Sequence, residues 1–414
     1  MRVGIIITRI GGEDGVALET EKWIEVLHDL GHEIFLISGM YERNILERKY
    51  QELCGEFYLL SKKTLSEQKK AFLEPDENSI DVLDKVKKRS EVICDKIMKW
   101  IKKNNIEFLI SENSSALPCN LSMTLGICKA VERTGVKTLT HDHDFYWERG
   151  NRYVSFHKEI NNIIEKIIPL RLSNVRSVVI NSAMKDVLEG KYGISNSVYI
   201  PNVIDFDKKL IFDDDLKKNF LEYFEFEEDS VILLQATRVV RRKGIETAVE
   251  LVHKLNDKRV KLIITGSDKD EKTGDNYYEF LISLIKRLDL GNQVVFANGN
   301  FDRFSLWDFY RCADACTYFS KYEGFGNAFV EAVFMKKPIF VNNYKSAFWR
   351  DIGSLGFKLV MTENNNLTSK NISDVKKVLS DEKLREDIGE HNFKLGKKYF
   401  SYDVLREKLR ELIN

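Results

Sequence analysis

The chain has 414 residues, with Lys+Arg and Asp+Glu at 64 each and no net charge at neutral pH. That balance gives no case for nucleic-acid binding or for general adsorption to an anionic membrane, since both draw on an excess of Lys and Arg. Hydrophobic residues make up 43% and charged residues 31%, ordinary values for a folded globular chain with room for two or three domains. The apolar run at 163–168 is short and broken by charge, so it cannot span a bilayer. Residues 1–7 are too few for a secretion signal and read as a first buried strand. The cysteines (Cys54, Cys94, Cys119, Cys128, Cys312 and Cys316) contain no Cys-x-x-Cys pair, which points to free thiols in a cytoplasmic protein.

In chain order, residues 3–8 read as a strand and 11–15 as a glycine-bearing loop. An amphipathic helix follows over 18–30, ending at Gly31 as a C-cap. Residues 33–38 form the next strand, and strand, helix, strand in this order gives a right-handed parallel unit. The stretch 41–103 is charged and helical in pattern, with a mobile segment expected near 74–78. Strands resume at 108–111 and 137–140, the latter delivering His141-Asp142-His143-Asp144, and again at 177–180 and 198–200.

A second alternating series begins at 231–235 and continues with strands at 261–266, 293–296, 315–319 and 338–341. Residues 399–414 read as a charged amphipathic helix. The expectation is an α/β chain of two Rossmann-like doubly wound domains facing across a cleft, with ligands at the carboxyl ends of the strands.

The most telling stretch is Ser320-Lys321-Tyr322-Glu323-Gly324-Phe325-Gly326-Asn327-Ala328-Phe329-Val330-Glu331-Ala332. An apolar strand enters a loop with two glycines, and a helical pattern then carries Glu331. A helix N-terminus attracts anions through its unpaired N–H groups and its dipole. The stretch resembles the Glu-x7-Glu motif of retaining, nucleotide-sugar-dependent glycosyltransferases of the GT-B fold, glycosyltransferase family 4. The resemblance implies that Glu323 contacts donor-sugar hydroxyls and Glu331 the ribose of the nucleotide, with Gly324, Phe325, Gly326, Asn327 and Ala328 around the donor. It also implies an acceptor-binding domain at 1–203, a nucleotide-sugar-binding domain at 204–396, and a terminal helix at 397–414 that crosses back to the first domain.

Further segments extend the likeness. Arg238 and Lys243 fit the family's Arg-x4-Lys-Gly segment, whose two cations bind the donor diphosphate. Arg suits a phosphate by paired hydrogen bonds and Lys by point charge. Arg241 and Arg242 between them also read as a solvated basic turn. Gly11 and Gly12 occupy the first strand-to-helix loop, a turn that in the family approaches donor and acceptor through backbone N–H groups. Glu13 and Asp14 beside them are candidates for acceptor hydroxyls. His141 resembles the family's strand-end histidine near the reacting centre. His143, Asp144, Tyr146, Trp147 and Arg149 follow as an acceptor-binding group, aromatic faces for sugar C–H groups and charges for polar ones. Gly299, in the loop at 296–301, resembles the contact to the nucleobase. His-Asp-His-Asp also admits a metal reading. Transferases of this kind need no bound metal for the chemistry, so no metal ligand is assigned and a divalent ion is left as an optional addition.

Residues 8–23 and 141–149 look like those of members that mannosylate glucosylglycerate or its phosphate. They imply GDP-mannose as donor, with UDP-glucose second, and a small acidic acceptor. The expected partners are small molecules, with no nucleic acid, no membrane association and an open question of homodimerisation. Two rival readings stand beside this one. The first is a transferase for cell-envelope or lipid-linked sugars, for which a basic helix carrying Val86, Ile93, Ile97 and Trp100 is the relevant feature. The second is a GT-B nucleotide-sugar epimerase, which acts on the donor without an acceptor.

Overall fold

The computed structural model describes residues 1–75, 79–267, 275–297, 303–344 and 347–413. The chain divides into two compact units, Met1–Val203 with Tyr402–Asn414, and Ile204–Ser401.

The first unit is built on a parallel sheet of seven strands: β1 (Arg2–Ile7), β2 (Glu33–Ser38), β3 (Gln51–Leu53), β4 (Phe108–Glu112), β5 (Lys137–Asp142), β6 (Val175–Val179) and β7 (Val198–Tyr199). Their order is β3-β2-β1-β4-β5-β6-β7. Helices cover both faces, so the inner strands β1, β2 and β4 read as near-continuous apolar runs and are buried through their middles. Strand order reverses between β1 and β4, the place where a doubly wound sheet opens a crevice for ligands.

The second unit repeats the plan with β8 (Val231–Gln235), β9 (Val260–Ile264), β10 (Val294–Phe296), β11 (Ala315–Tyr318), β12 (Ile339–Asn342) and β13 (Val360–Thr362). Its order is β10-β9-β8-β11-β12-β13, with the reversal between β8 and β11.

Several elements differ from expectation. The first helix runs Gly15–Asp29, earlier than the hydrophobic pattern suggests, because Asp14 caps it by accepting from the N–H groups of Val16 and Ala17. The stretch read as helices at 41–103 also holds β3, an edge strand too short to show alternation. The helix Ser79–Asn104 turns Val86, Ile93, Ile97 and Trp100 into the core, so these four are packing residues and not a lipid-facing set. Among the described residues no helix is long and apolar enough to cross a membrane. The helix Glu382–Phe400 continues past residue 397, and a separate helix, Tyr402–Ile413, joins the first unit. Its Leu405, Leu409 and Ile413 pack in one core with Trp23, Ile24 and Leu27. All six cysteines are free.

Candidate active site

In the second unit, three cations gather about Glu323 at the carboxyl ends of β8 and β11. The loop after β8 carries Arg238 and then the turn Arg241–Lys243. Gly244 ends that turn at φ 60°, and a Cβ there would stand 2.1 Å from the Phe319 carbonyl oxygen. Only glycine allows this turn to press against the end of β11, and the contact brings Lys243 to Glu323.

Glu323 is 7% exposed and holds three donors. Lys243 Nζ pairs with its Oε1, Arg242 Nη1 lies 2.5 Å from its Oε2, and the Ser320 hydroxyl donates to Oε1 at 2.7 Å. Burial alone would raise this carboxyl, but the charges of Lys243 and Arg242 hold it down at about 2. Burial draws the Lys243 ammonium down against the pull of Glu323. Arg242, read from sequence as a candidate solvated residue, thus belongs to the Glu323 cluster, and it also donates to the Tyr322 carbonyl at 3.0 Å. Arg241 turns the other way, to Asp275 at 2.9 Å. Arg238 is exposed, and its charge reaches Lys243.

Gly324, Phe325 and Gly326 lead into the helix Asn327–Phe334. Gly326 has φ 135°, and a Cβ on it would meet the Tyr344 hydroxyl at 2.5 Å. That hydroxyl donates to the Phe325 carbonyl. The Phe325 ring is buried edge-on against Phe400, so only its backbone faces the loop. Ala328 accepts from Tyr310 at 3.2 Å through its carbonyl, and Glu331 Oε2 accepts from the same hydroxyl at 2.9 Å. Gly299 lies outside the described residues, as do 76–78 of the segment expected to be mobile.

The first unit holds the remaining candidates. Gly11 has φ 89° and its Cα faces Arg43, while Gly12 is buried against the Glu42 carboxylate. Glu13 is exposed. Asp14, besides capping its helix, pairs with Arg9 at 3.1 Å. His141 is 1% exposed, stacked on Trp23 with ring centroids 4.0 Å apart. Its Nδ1 lies 3.0 Å from Glu112 Oε2. Burial pushes the imidazole down to about 4, so it is neutral. His143 is buried beside it, with ring centroids 4.5 Å apart.

The segment after β5 does not stand open as a free sugar platform. Trp147 stacks between Phe145 at 4.4 Å and Tyr192 at 4.9 Å, and Tyr146 meets it edge-on. Arg149, expected to await an acidic group, is paired with Asp144. Asp144 also accepts from Asn113 at 3.2 Å.

Glu112 is the residue that sequence reasoning missed. The strand was ended at 111, whereas β4 continues through Glu112, which pairs in register with His141. A carboxylate closing the apolar run Phe108-Leu109-Ile110-Ser111 was the available signal. Glu112 also lines a cavity of about 320 Å³ at the β1/β4 reversal, together with Thr8, Arg9, Asp14, Asn113 and Ser114.

Known proteins resemble this chain in sequence and in fold. Residues 217–395 match the family model described as glycosyl transferases group 1. The mannosylglucosylglycerate synthase of Petrotoga mobilis is 30% identical over 387 residues, covering 87% of this chain and 86% of that one. The mannosylglucosylglycerate synthase of Thermotoga maritima is 28% identical with full coverage of both chains. Among solved structures, a glycosyltransferase of Rickettsia africae superposes with a TM-score of 0.72 at 18% identity, over 99% of this chain and 97% of that one, a likeness of fold.

Proposed function

The chain belongs to the glycosyl transferases of group 1, and from that membership we propose that it is a retaining hexosyltransferase moving mannose from GDP-mannose to glucosylglycerate. The observation that carries this reading is the Glu323 cluster, a buried carboxylate bound to cations at the mouth of a doubly wound sheet. The relatives' name supports mannose and an acidic glycoside acceptor. UDP-glucose is the second donor.

The chemistry follows from charge. The bond from the anomeric carbon to the diphosphate stretches, the diphosphate gains negative charge, and the sugar ring gains oxocarbenium character. Arg238 and Lys243 meet that growing charge, and one N–H of Lys243 on Glu323 leaves two for phosphate oxygens. The first N–H groups of the helix Asn327–Phe334 add a positive pole, and Gly324 and Gly326 let the phosphate approach closely. Glu331 is the ribose contact, with Tyr310 fixing one of its oxygens.

Glu323 stays ionised at neutral pH and therefore only accepts hydrogen bonds, which suits sugar hydroxyls. Lys243, Arg242 and Ser320 already draw on its lone pairs, so it is a poor nucleophile. Retention then proceeds without a glycosyl-enzyme: the leaving phosphate takes the proton of the incoming hydroxyl on the same face of the sugar. The cavity beside Asp14 and Asn113 is the place for the acceptor, with Arg9 as the cation at its wall.

A thermal-shift panel of GDP-mannose, UDP-glucose and ADP-glucose tests the donor, since a ligand that binds only the folded state raises its melting temperature. GDP-mannose should give the largest shift, and product NMR should show the anomeric configuration kept. A response to UDP-glucose alone overturns the donor, and an inverted product overturns the mechanism. Turnover of the donor with no transfer to glucosylglycerate overturns the acceptor.

A further inference from the structure

Behind the candidate acceptor cavity, β4 and β5 place Glu112 and His141 side by side in register. His143, one residue past the end of β5, lies beside His141 with ring centroids 4.5 Å apart. One ligand atom from each of Glu112, His141 and His143 falls within 4.8 Å of the other two. His141 Nδ1 and His143 Nε2 lie 3.0 and 3.9 Å from the same oxygen, Glu112 Oε2. We propose that Glu112, His141 and His143 bind a divalent transition-metal ion, with Zn(II) or Co(II) as the class of ion that suits two imidazoles and a carboxylate.

Two observations beyond the cluster point to a ligand. His143 is 9% exposed, and its Nε2 is buried with no hydrogen-bond partner. A buried imidazole nitrogen left in that state carries a desolvation cost that a metal bond removes. Glu112 is 1% exposed and meets no Lys or Arg among the described residues. Glu19, an acidic residue whose charge reaches it, already has Lys22 at 2.8 Å. The two imidazoles beside the buried Glu112 carboxylate complete a set of nitrogen and oxygen donors of the kind a transition-metal ion takes.

The surroundings provide what a metal site requires. Trp23, stacked on His141, fixes the plane of its ring, so that ligand is held from behind. The cavity lined by Glu112 and Asn113 gives a route inward and room for oxygen ligands at the remaining positions.

The test uses the full chain stripped of metal by chelation. Titration with Co(II), followed by visible d–d absorption, and with Zn(II), followed by calorimetry, should show one ion per chain. Glu112→Gln and His143→Ala should each weaken binding at least about tenfold. X-ray absorption of the Zn(II)-loaded wild-type chain should count two imidazoles around the metal, a readout that stands even if a variant fails to fold. The proposal is overturned if the wild-type chain takes up neither ion saturably, if both variants fold and bind as the wild type does, or if the loaded metal has no imidazole ligand.

Discussion

Lys243 and Glu323 lie 80 positions apart in the chain, yet they form a nearly buried ion pair at the ends of neighbouring strands β8 and β11. The pair joins the segment expected to hold the diphosphate to the residue expected to hold the sugar. A change on either partner therefore reports on both binding and stability.

Glu323→Gln keeps the shape of the side chain and removes its charge. Lys243 is then left as a buried cation without a counter-charge, which should cost about 3 kcal/mol in urea denaturation. The rate constant kcat should fall by on the order of 10²–10³, since the sugar loses a fixed acceptor and the cations lose their alignment. A variant with wild-type stability and rate would remove Glu323 from the site.

The same carboxylate gives a pH signature. Its native value of about 2 lies below the ordinary 4.5, so the native state is favoured wherever the group is ionised. That stabilisation is complete above about pH 4.5 and is lost as pH falls from there toward 2. The difference in melting temperature between wild type and Glu323→Gln should be constant at neutral pH and shrink across this acid window.

Arg238 offers the opposite separation. Its side chain is exposed and makes no ion pair among the described residues. Arg238→Ala should leave the melting temperature within about 1 °C of wild type, because a surface change far from packing costs little. Catalytic efficiency, kcat/KM, should drop by roughly 10²-fold or more. A large fall in stability with unchanged kinetics would make the residue structural.

Glycine positions differ in what they tolerate. Gly244→Ala places a methyl group against the Phe319 carbonyl, in a left-handed backbone, and should destabilise by about 3 kcal/mol or more. Gly135 has a similar φ of 65° but open space around it, so Gly135→Ala should cost only about 1 kcal/mol. Equal losses from the two would mean that backbone conformation alone sets the cost and the strand contact adds nothing.

The doubly wound plan was legible because buried parallel strands are near-continuous apolar runs, as at 3–8, 231–235 and 315–319. The edge strands β3 and β13 were not, since three residues give no period to read. The Lys243 and Glu323 positions were visible through motif resemblance, but Arg242 was not distinguished from Arg241. Which of two adjacent arginines turns inward depends on a 3-10 turn that sequence does not reveal. The aromatic run at 145–147 looked like a sugar platform because its packing partner, Tyr192, lies far along the chain. Glu112 escaped notice for a similar reason: its significance comes from β5, through register with His141.

The helix Tyr402–Ile413 closes the hydrophobic interior of the unit that begins the chain. During synthesis that interior therefore waits, with Trp23 and Leu27 lacking their cover, until the whole intervening unit has been translated. The early lobe is thus committed last, and an interrupted message yields a first lobe with a greasy opening that chaperones and proteases can recognise.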